Sequence, residues 1–145
     1  MSREPRASLE RRAMAERPQG DHFAARLSRT HAVNVIAECK RRSPSRGVLR
    51  AAYDPVAIAA GYEASGAAAI SVLTSGRDFA GSLLDLARVR QVTDLPLLCK
   101  DFFIDPYQVV EARAHGADAI LVLLALDEDS LAVDLIQAAE DHQMD

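Results

Sequence analysis

One helix-and-strand unit is spelled twice in this chain. Asp54-Pro55 leads through apolar residues to Gly66-Ala-Ala-Ala-Ile-Ser-Val-Leu73, and Asp105-Pro106 leads to Gly116-Ala-Asp-Ala-Ile-Leu-Val-Leu123 about 50 residues later. In each copy the aspartate stands where a helix is capped, and the proline takes the favoured first-turn position. Val56, Ile58, Ala59 and Tyr62 mark the first of these helices, which is read as ending near Gly66, and the apolar run after the glycine reads as a buried strand. Between the copies, Ser82 caps a helix through Leu83, Leu84, Leu86, Ala87 and Val89, and Leu95-Pro-Leu-Leu-Cys-Lys100 forms another strand. A repeat that covers strand-helix units marks a βα array. Parallel strands are therefore predicted over 33–40, 67–73, 95–100 and 118–124, each followed by a helix, with the last helix starting at 127–129.

Two architectures accommodate such units: a small open, doubly wound sheet, or half of an eight-stranded barrel, which takes about 250 residues when complete. No glycine-rich phosphate turn follows the first strand, which counts against a nucleotide-binding open sheet. Charged residues close the first and third strands, and Phe79 and Phe102 lie in neighbouring loops, as suits a barrel mouth. The predicted fold class is thus α/β, a (βα)8 barrel of the TIM type represented by four units over residues 33–145. Residues 1–32 precede it as a helical extension that covers the bottom or side of the core. In that extension Pro18-Gln-Gly20 is a break, and Asp21 caps a short helix carrying Phe23, Ala24 and Leu27.

The first strand ends in residues that a buried strand has no structural reason to hold. Within Val33-Asn-Val-Ile-Ala-Glu-Cys-Lys40, alternation puts Glu38 and Lys40 on one face and Cys39 on the other. Lys40 and Lys100 are the only two lysines, and each follows an apolar strand; elsewhere the positive charge is carried by arginine. Burial and neighbours can move a lysine toward neutrality, which suits it to proton transfer, whereas arginine keeps its proton. A strand-end lysine can also simply extend its ammonium to water. The following loop, 41–53, exceeds the usual two to six residues of a strand-to-helix connection. It contains Ser43-Pro44-Ser45 with Arg41, Arg42, Arg46 and Arg50, groups able to hold an anion.

Charge and cysteine content narrow the partners. The net charge is −4, yet residues 1–50 hold twelve basic and five acidic side chains. The arginines are scattered, with little aromatic interleaving, so nucleic acid is not the expected partner. No apolar segment follows the first residues and no run reaches the length of a membrane span, so the expectation is a cytoplasmic protein without a membrane partner. Cys39 and Cys99 fall on strands separated by another strand, beyond disulfide reach, and are expected as buried thiols.

Ile36-Ala-Glu-Cys-Lys40, Ser43-Pro-Ser45, Ala69-Ile-Ser-Val-Leu-Thr74, Phe79-Ala-Gly-Ser82 and Lys100-Asp-Phe-Phe-Ile-Asp-Pro-Tyr-Gln108 together resemble indole-3-glycerol phosphate synthase, a barrel family of tryptophan biosynthesis. The resemblance runs from about residue 21 to the last residue, in order and at matching spacing. It implies a phosphorylated small-molecule substrate, 1-(2-carboxyphenylamino)-1-deoxyribulose 5-phosphate. It also implies a reaction of ring closure, decarboxylation and dehydration without metal or organic cofactor. On the same basis Lys100 is the general acid of ring closure, and Lys40 supports it or donates a proton itself. Glu38 orients the ammonium groups and stabilises positive charge on the anilino nitrogen, Ser43 helps bind the carboxylate, and Phe79, Phe102 and Leu121 line an apolar slot for the aromatic ring.

In the family, strands five to eight supply a glutamate base, an asparagine, a Glu-Ser pair and the phosphate-binding loops, and none of these motifs occurs here. The expectation is a barrel divided between its fourth helix and fifth strand, with strands one and four as open edges. Such a chain would be inactive alone and would need a complementary half or a second copy of itself. A non-catalytic half-barrel module that self-associates is the alternative.

Overall fold

The computed structural model describes residues 4–16, 23–31, 33–124 and 129–145. The expected break at Pro18-Gln-Gly20, the Asp21 cap and the start of the last helix at Asp127 lie outside these residues. In chain order the elements are α1 (Arg6–Ala15), α2 (Phe23–Leu27), β1 (Ile36–Cys39), β2 (Arg42–Ser43), β3 (Gly47–Val48), α3 (Pro55–Ala64), β4 (Ala69–Leu73), α4 (Gly76–Phe79), α5 (Leu83–Arg90), β5 (Leu97–Lys100), α6 (Pro106–Ala114), β6 (Ala119–Ile120) and α7 (Asp129–Asp141).

Local chemistry sets these boundaries. Asp54 and Asp105 accept from the backbone N–H groups of Val56 (3.1 Å) and Tyr107 (2.9 Å), and Ser82 accepts from Asp85 N–H (3.2 Å). Gly66 and Gly116 stop the helices of the repeat in left-handed conformation, with φ of 84° and 91°. At Gly116 a side chain is excluded twice over, because a Cβ would also lie 2.5 Å from Arg90 Cγ.

The four main strands pair in parallel in the order β1-β4-β5-β6. In register, Cys39 faces Val72, Val72 faces Cys99 and Cys99 faces Ile120, while Glu38 aligns with Ser71, Leu98 and Ala119. Aligned residues of a parallel sheet point the same way. Cys39, Val72 and Cys99, with Ile70 and Leu97, are buried in one core with Ala59, Leu86, Val89, Val109, Ala112 and Leu135. Each large apolar side chain buried there contributes roughly 1.5–3 kcal/mol. The opposite face carries Glu38, Ser71 and Leu98, and is the face that turns inward in a barrel.

Over the described residues this sheet does not close, and β1 and β6 are its edges. The expected strand over 118–124 is paired only at Ala119–Ile120. Its ladder with β5 ends at Cys99 and Ile120, one step before Lys100, which pairs with Leu73. On the outer side of β6, Ile120 N–H donates to Asp145 O (3.1 Å) and Asp145 N–H donates to Asp118 O (3.0 Å), one parallel ladder step. The first strand likewise begins three residues later than expected, at Ile36, although Val35 O still accepts from Ala68 N–H at 2.9 Å.

At the amino ends of the strands Asp118 is buried between two guanidinium groups, 3.0 Å from Arg90 Nη1 and 3.5 Å from Arg113 Nη1, and accepts from Leu97 N–H at 2.9 Å. Helix α1 packs on α6 at the side of the core. Leu9 and Ala13 of α1 are buried with Tyr107, Val110 and Ala114 of α6, and the Tyr107 hydroxyl donates to Glu4 O at 2.9 Å.

Candidate functional site

The charged groups meet at the carboxyl ends of the strands. Lys40 Nζ lies 2.6 Å from Glu38 Oε1, and Lys100 Nζ lies 2.8 Å from Glu38 Oε2, so a single carboxylate binds the ammonium groups of both lysines. β1 and β5 are not neighbours, and about 9.6 Å of sheet separates them. The side chains meet over β4, whose residue in register with Glu38 is the small Ser71. Ser71 is buried, and among the described residues its hydroxyl has no hydrogen-bond partner. The Tyr62 hydroxyl on α3 donates to Glu38 O at 3.1 Å and fixes the backbone of the edge strand.

Burial pushes the Glu38 carboxyl up, but the hydrogen bonds and charges of Lys100 and Lys40 outweigh it and hold the group below its ordinary 4.5. One negative and two positive charges leave a net positive site on half-buried groups. It is suited to an acidic substrate and to donating protons.

Beside this triad an apolar cavity of about 190 Å³ is lined by Leu73, Ser75, Phe79, Lys100, Asp101, Phe102, Leu121 and Leu123. The rings of Phe79 and Phe102 stand 6.5 Å apart with an interplanar angle of 33°. A cavity of about 150 Å³ takes benzene, so this slot has the size for one aromatic ring. Phe79, Lys100, Phe102 and Leu121, all predicted site residues, come together here. Ser75, Asp101, Leu73 and Leu123 were not singled out as site residues. Leu123 could have been found from Leu121, since residues two apart on a strand share a face. A larger cleft of about 680 Å³ lies between α1 and the end of α7, away from the lysines.

Ser43 lies apart from the slot, in a structure the sequence reading describes only as a loop. β2 and β3 form an antiparallel hairpin, Arg42 opposite Val48 and Ser43 opposite Gly47, and it packs against α4, which carries Phe79. The Ser43 hydroxyl oxygen accepts from Arg46 N–H at 3.2 Å, which leaves its proton for an acceptor such as a carboxylate. The one-turn helix α4 also replaces an expected loop. It ends at Ala80 in left-handed conformation (φ 54°), and Gly81 then passes so close to β4 that a Cβ there would lie 1.9 Å from Leu73 O.

Cys39 and Cys99 are free and buried on the helix-facing side of the sheet, as expected. Burial pushes their thiols up to about 11 and about 12. Among the described residues no helix is long and apolar enough to cross a membrane.

Parallel strands in sequence order, with helices as crossovers and charged groups at the carboxyl ends, define a chain of the βα-barrel class. A family model described as indole-3-glycerol phosphate synthase matches residues 1–145, and the chain belongs to that family. The indole-3-glycerol phosphate synthase of Parafrankia sp. is 50% identical over 134 residues, covering 92% of this chain and 49% of the relative. That of Streptomyces griseus subsp. griseus is 51% identical over 141 residues, covering 95% and 52%. That of Roseiflexus sp. is 51% identical over 135 residues, covering 88% and 50%. The chain spans about half the length of the curated relatives it matches.

Proposed function

We propose that this chain supplies the acid half of an indole-3-glycerol phosphate synthase site and takes part in tryptophan biosynthesis as a carbon-carbon lyase. The substrate is 1-(2-carboxyphenylamino)-1-deoxyribulose 5-phosphate. Its ring carbon that bears the carboxylate attacks the ketone carbon, the ketone oxygen takes a proton, carbon dioxide leaves to restore the aromatic ring, and loss of water gives indole-3-glycerol phosphate. The observation that carries this reading is the convergence of Lys40 and Lys100 on Glu38 beside the aromatic slot.

Lys100 belongs to both the triad and the slot, which supports it as the acid that protonates the ketone oxygen of a ring held between Phe79, Phe102 and Leu121. Lys40 balances the Glu38 carboxylate once Lys100 has given up its proton, so the triad is left neutral rather than negative. Glu38 orients both ammonium groups and faces the developing positive charge on the anilino nitrogen. Ser43 donates to the substrate carboxylate from the hairpin. Dehydration needs a base, and the phosphate needs a binding loop; both are assigned to a complementary half-barrel. That half pairs along β6, where Asp145 already occupies one ladder step, and along β1.

The test is reconstitution. The chain is mixed with a polypeptide carrying strands five to eight of a relative, the mass is followed by light scattering, and indole-3-glycerol phosphate is assayed. A one-to-one complex with turnover that falls about 10²–10⁴-fold in Lys100→Met is the expected result. A well-formed complex whose activity ignores Lys100 overturns the assignment, and a stable homodimer that ignores the added half favours a self-pairing module without the chemistry.

A further inference from the structure

The segment Lys100-Asp-Phe-Phe-Ile-Asp-Pro-Tyr-Gln108 carries much of the family resemblance, yet the chemistry above uses only Lys100 and Phe102 from it. Two other side chains of this segment, Asp101 and Gln108, are tied with Thr74 into one set of bonds. Asp101 Oδ1 accepts from Phe102 N–H at 2.8 Å. Its other oxygen, Oδ2, accepts from Thr74 Oγ1 at 2.7 Å. Thr74 is 5% exposed at the end of β4, its N–H donates to Lys100 O at 3.1 Å, and its Oγ1 lies 3.4 Å from Cys99 Sγ. From the far side, Gln108 on α6 donates through Nε2 to Phe102 O at 3.0 Å and accepts at Oε1 from Ile104 N–H at 2.8 Å.

Both polar backbone groups of Phe102 are therefore held by side chains, one reaching from a strand end and the other from a helix. A loop residue 40% exposed would otherwise leave these groups to water and its ring free to wander. We propose that Asp101, anchored by Thr74, and Gln108 are positioning residues that fix Phe102 opposite Phe79 and so set the width of the aromatic slot. This deepens the slot reading and rests on it. The frame starts one residue after Lys100 and makes no bond to its ammonium, so slot geometry and proton donor are held separately. A slot of fixed width discriminates among aromatic rings by shape at no cost in reordering on binding.

The test uses the 145-residue chain with backbone-¹⁵N-labelled phenylalanine and ¹³C-methylated amines, the two lysines giving one signal each beside that of the terminal amine. Hydrogen exchange at the Phe102 amide judges the frame, and binding of 2-aminobenzoate judges the slot. In Thr74→Val the amide should exchange about 5–10-fold faster, as follows from losing one anchoring hydrogen bond. Thr74→Ser, which keeps the hydroxyl, should restore protection to within about twofold, and the lysine methyl signals should stay in place. Affinity for 2-aminobenzoate should fall by about fivefold or more in Thr74→Val and in Gln108→Leu.

Phe102 exchange at the parental rate in both Thr74→Val and Gln108→Leu would overturn the frame. So would lysine signals that move with it, because the effect would then run through the triad. If Thr74→Val speeds exchange throughout β4 and β5, Gln108→Leu decides, since its half-buried side chain can be removed without opening the core. Parent that ignores 2-aminobenzoate while Phe102 exchange responds refutes the slot and, with it, the role given to the frame. Parent that binds as tightly as every variant refutes the frame alone.

Discussion

Glu38 sits between two cations that would otherwise repel each other at the mouth of the sheet. Its carboxyl is held below 4.5 although burial, the largest single influence, acts the other way. A depressed carboxyl contributes stability that is present above its unfolded value and lost as pH falls through the folded one. The triad should therefore persist through neutral pH and come apart only below 4.5. Lys100→Met removes the principal lowering influence and leaves the burial, so the Glu38 carboxyl should titrate at higher pH in that variant. Carboxyl-carbon NMR titration of the parent and Lys100→Met checks this; an unchanged midpoint would mean that the ion pair does not govern Glu38. At this scale much of the candidate site's geometry is legible in the sequence. Strand alternation put Glu38 and Lys40 on one face and Cys39 on the other, and the scarcity of lysine pointed to Lys40 and Lys100. That both lysines share one carboxylate was not legible, because it depends on the register across β4 and on Ser71 being small enough to reach over. The bonds of Asp101 and Gln108 to loop backbone leave no periodic trace at all.

The elements legible in the sequence are those whose ends are written in local chemistry. Aspartate caps, first-turn prolines and glycine stops marked α3 and α6, and apolar runs marked β4 and β5. The hairpin β2–β3 and the single turn α4 look like loops in the sequence, since elements of two to four residues are too short to show a period. The fourth strand is shorter than its apolar run, whose ladder with β5 ends at Ile120 although the apolar residues continue to Leu124. The close pass of Gly81 over Leu73 O joins β4 to the segment that carries Phe79. Gly81→Ala must displace backbone, since 1.9 Å is far inside contact distance, and should cost about 3 kcal/mol or more. Gly116→Ala adds a strained left-handed residue at about 1–2 kcal/mol and pushes Arg90 off Asp118. Urea denaturation measures both. The two should also differ in kind: Gly81→Ala should shift the ring signal of Phe79, whereas Gly116→Ala should leave the slot intact. Variants as stable as the parent would show that these approaches can relax.

At the scale of the whole molecule, the described residues form an open shell with an apolar margin on each side. Val35 is 49% exposed beside β1, and Ile136 is 47% exposed on α7 beside β6. Strand edges carry unpaired N–H and C=O groups, and apolar side chains next to them favour joining another strand over remaining in water. In solution the 145-residue chain alone should therefore associate as concentration rises. The association should weaken in Val35→Lys and Ile136→Lys, which place charge on the margins while leaving the core of Ile70, Leu86 and Leu135 untouched. Sedimentation velocity across a hundredfold range of concentration reads this directly. Circular dichroism shows whether the lysine variants keep their helices, as they should at positions this exposed. A chain that stays monomeric at every concentration would mean that its edges are already satisfied, and association that ignores both lysines would move the contact to another face. If the margins do drive it, adding strands five to eight of a relative should compete with self-association. The large assemblies should then give way to a one-to-one complex, because a strand in the correct register satisfies the backbone of β1 and β6 and covers the inner face at once, which a mismatched copy cannot do.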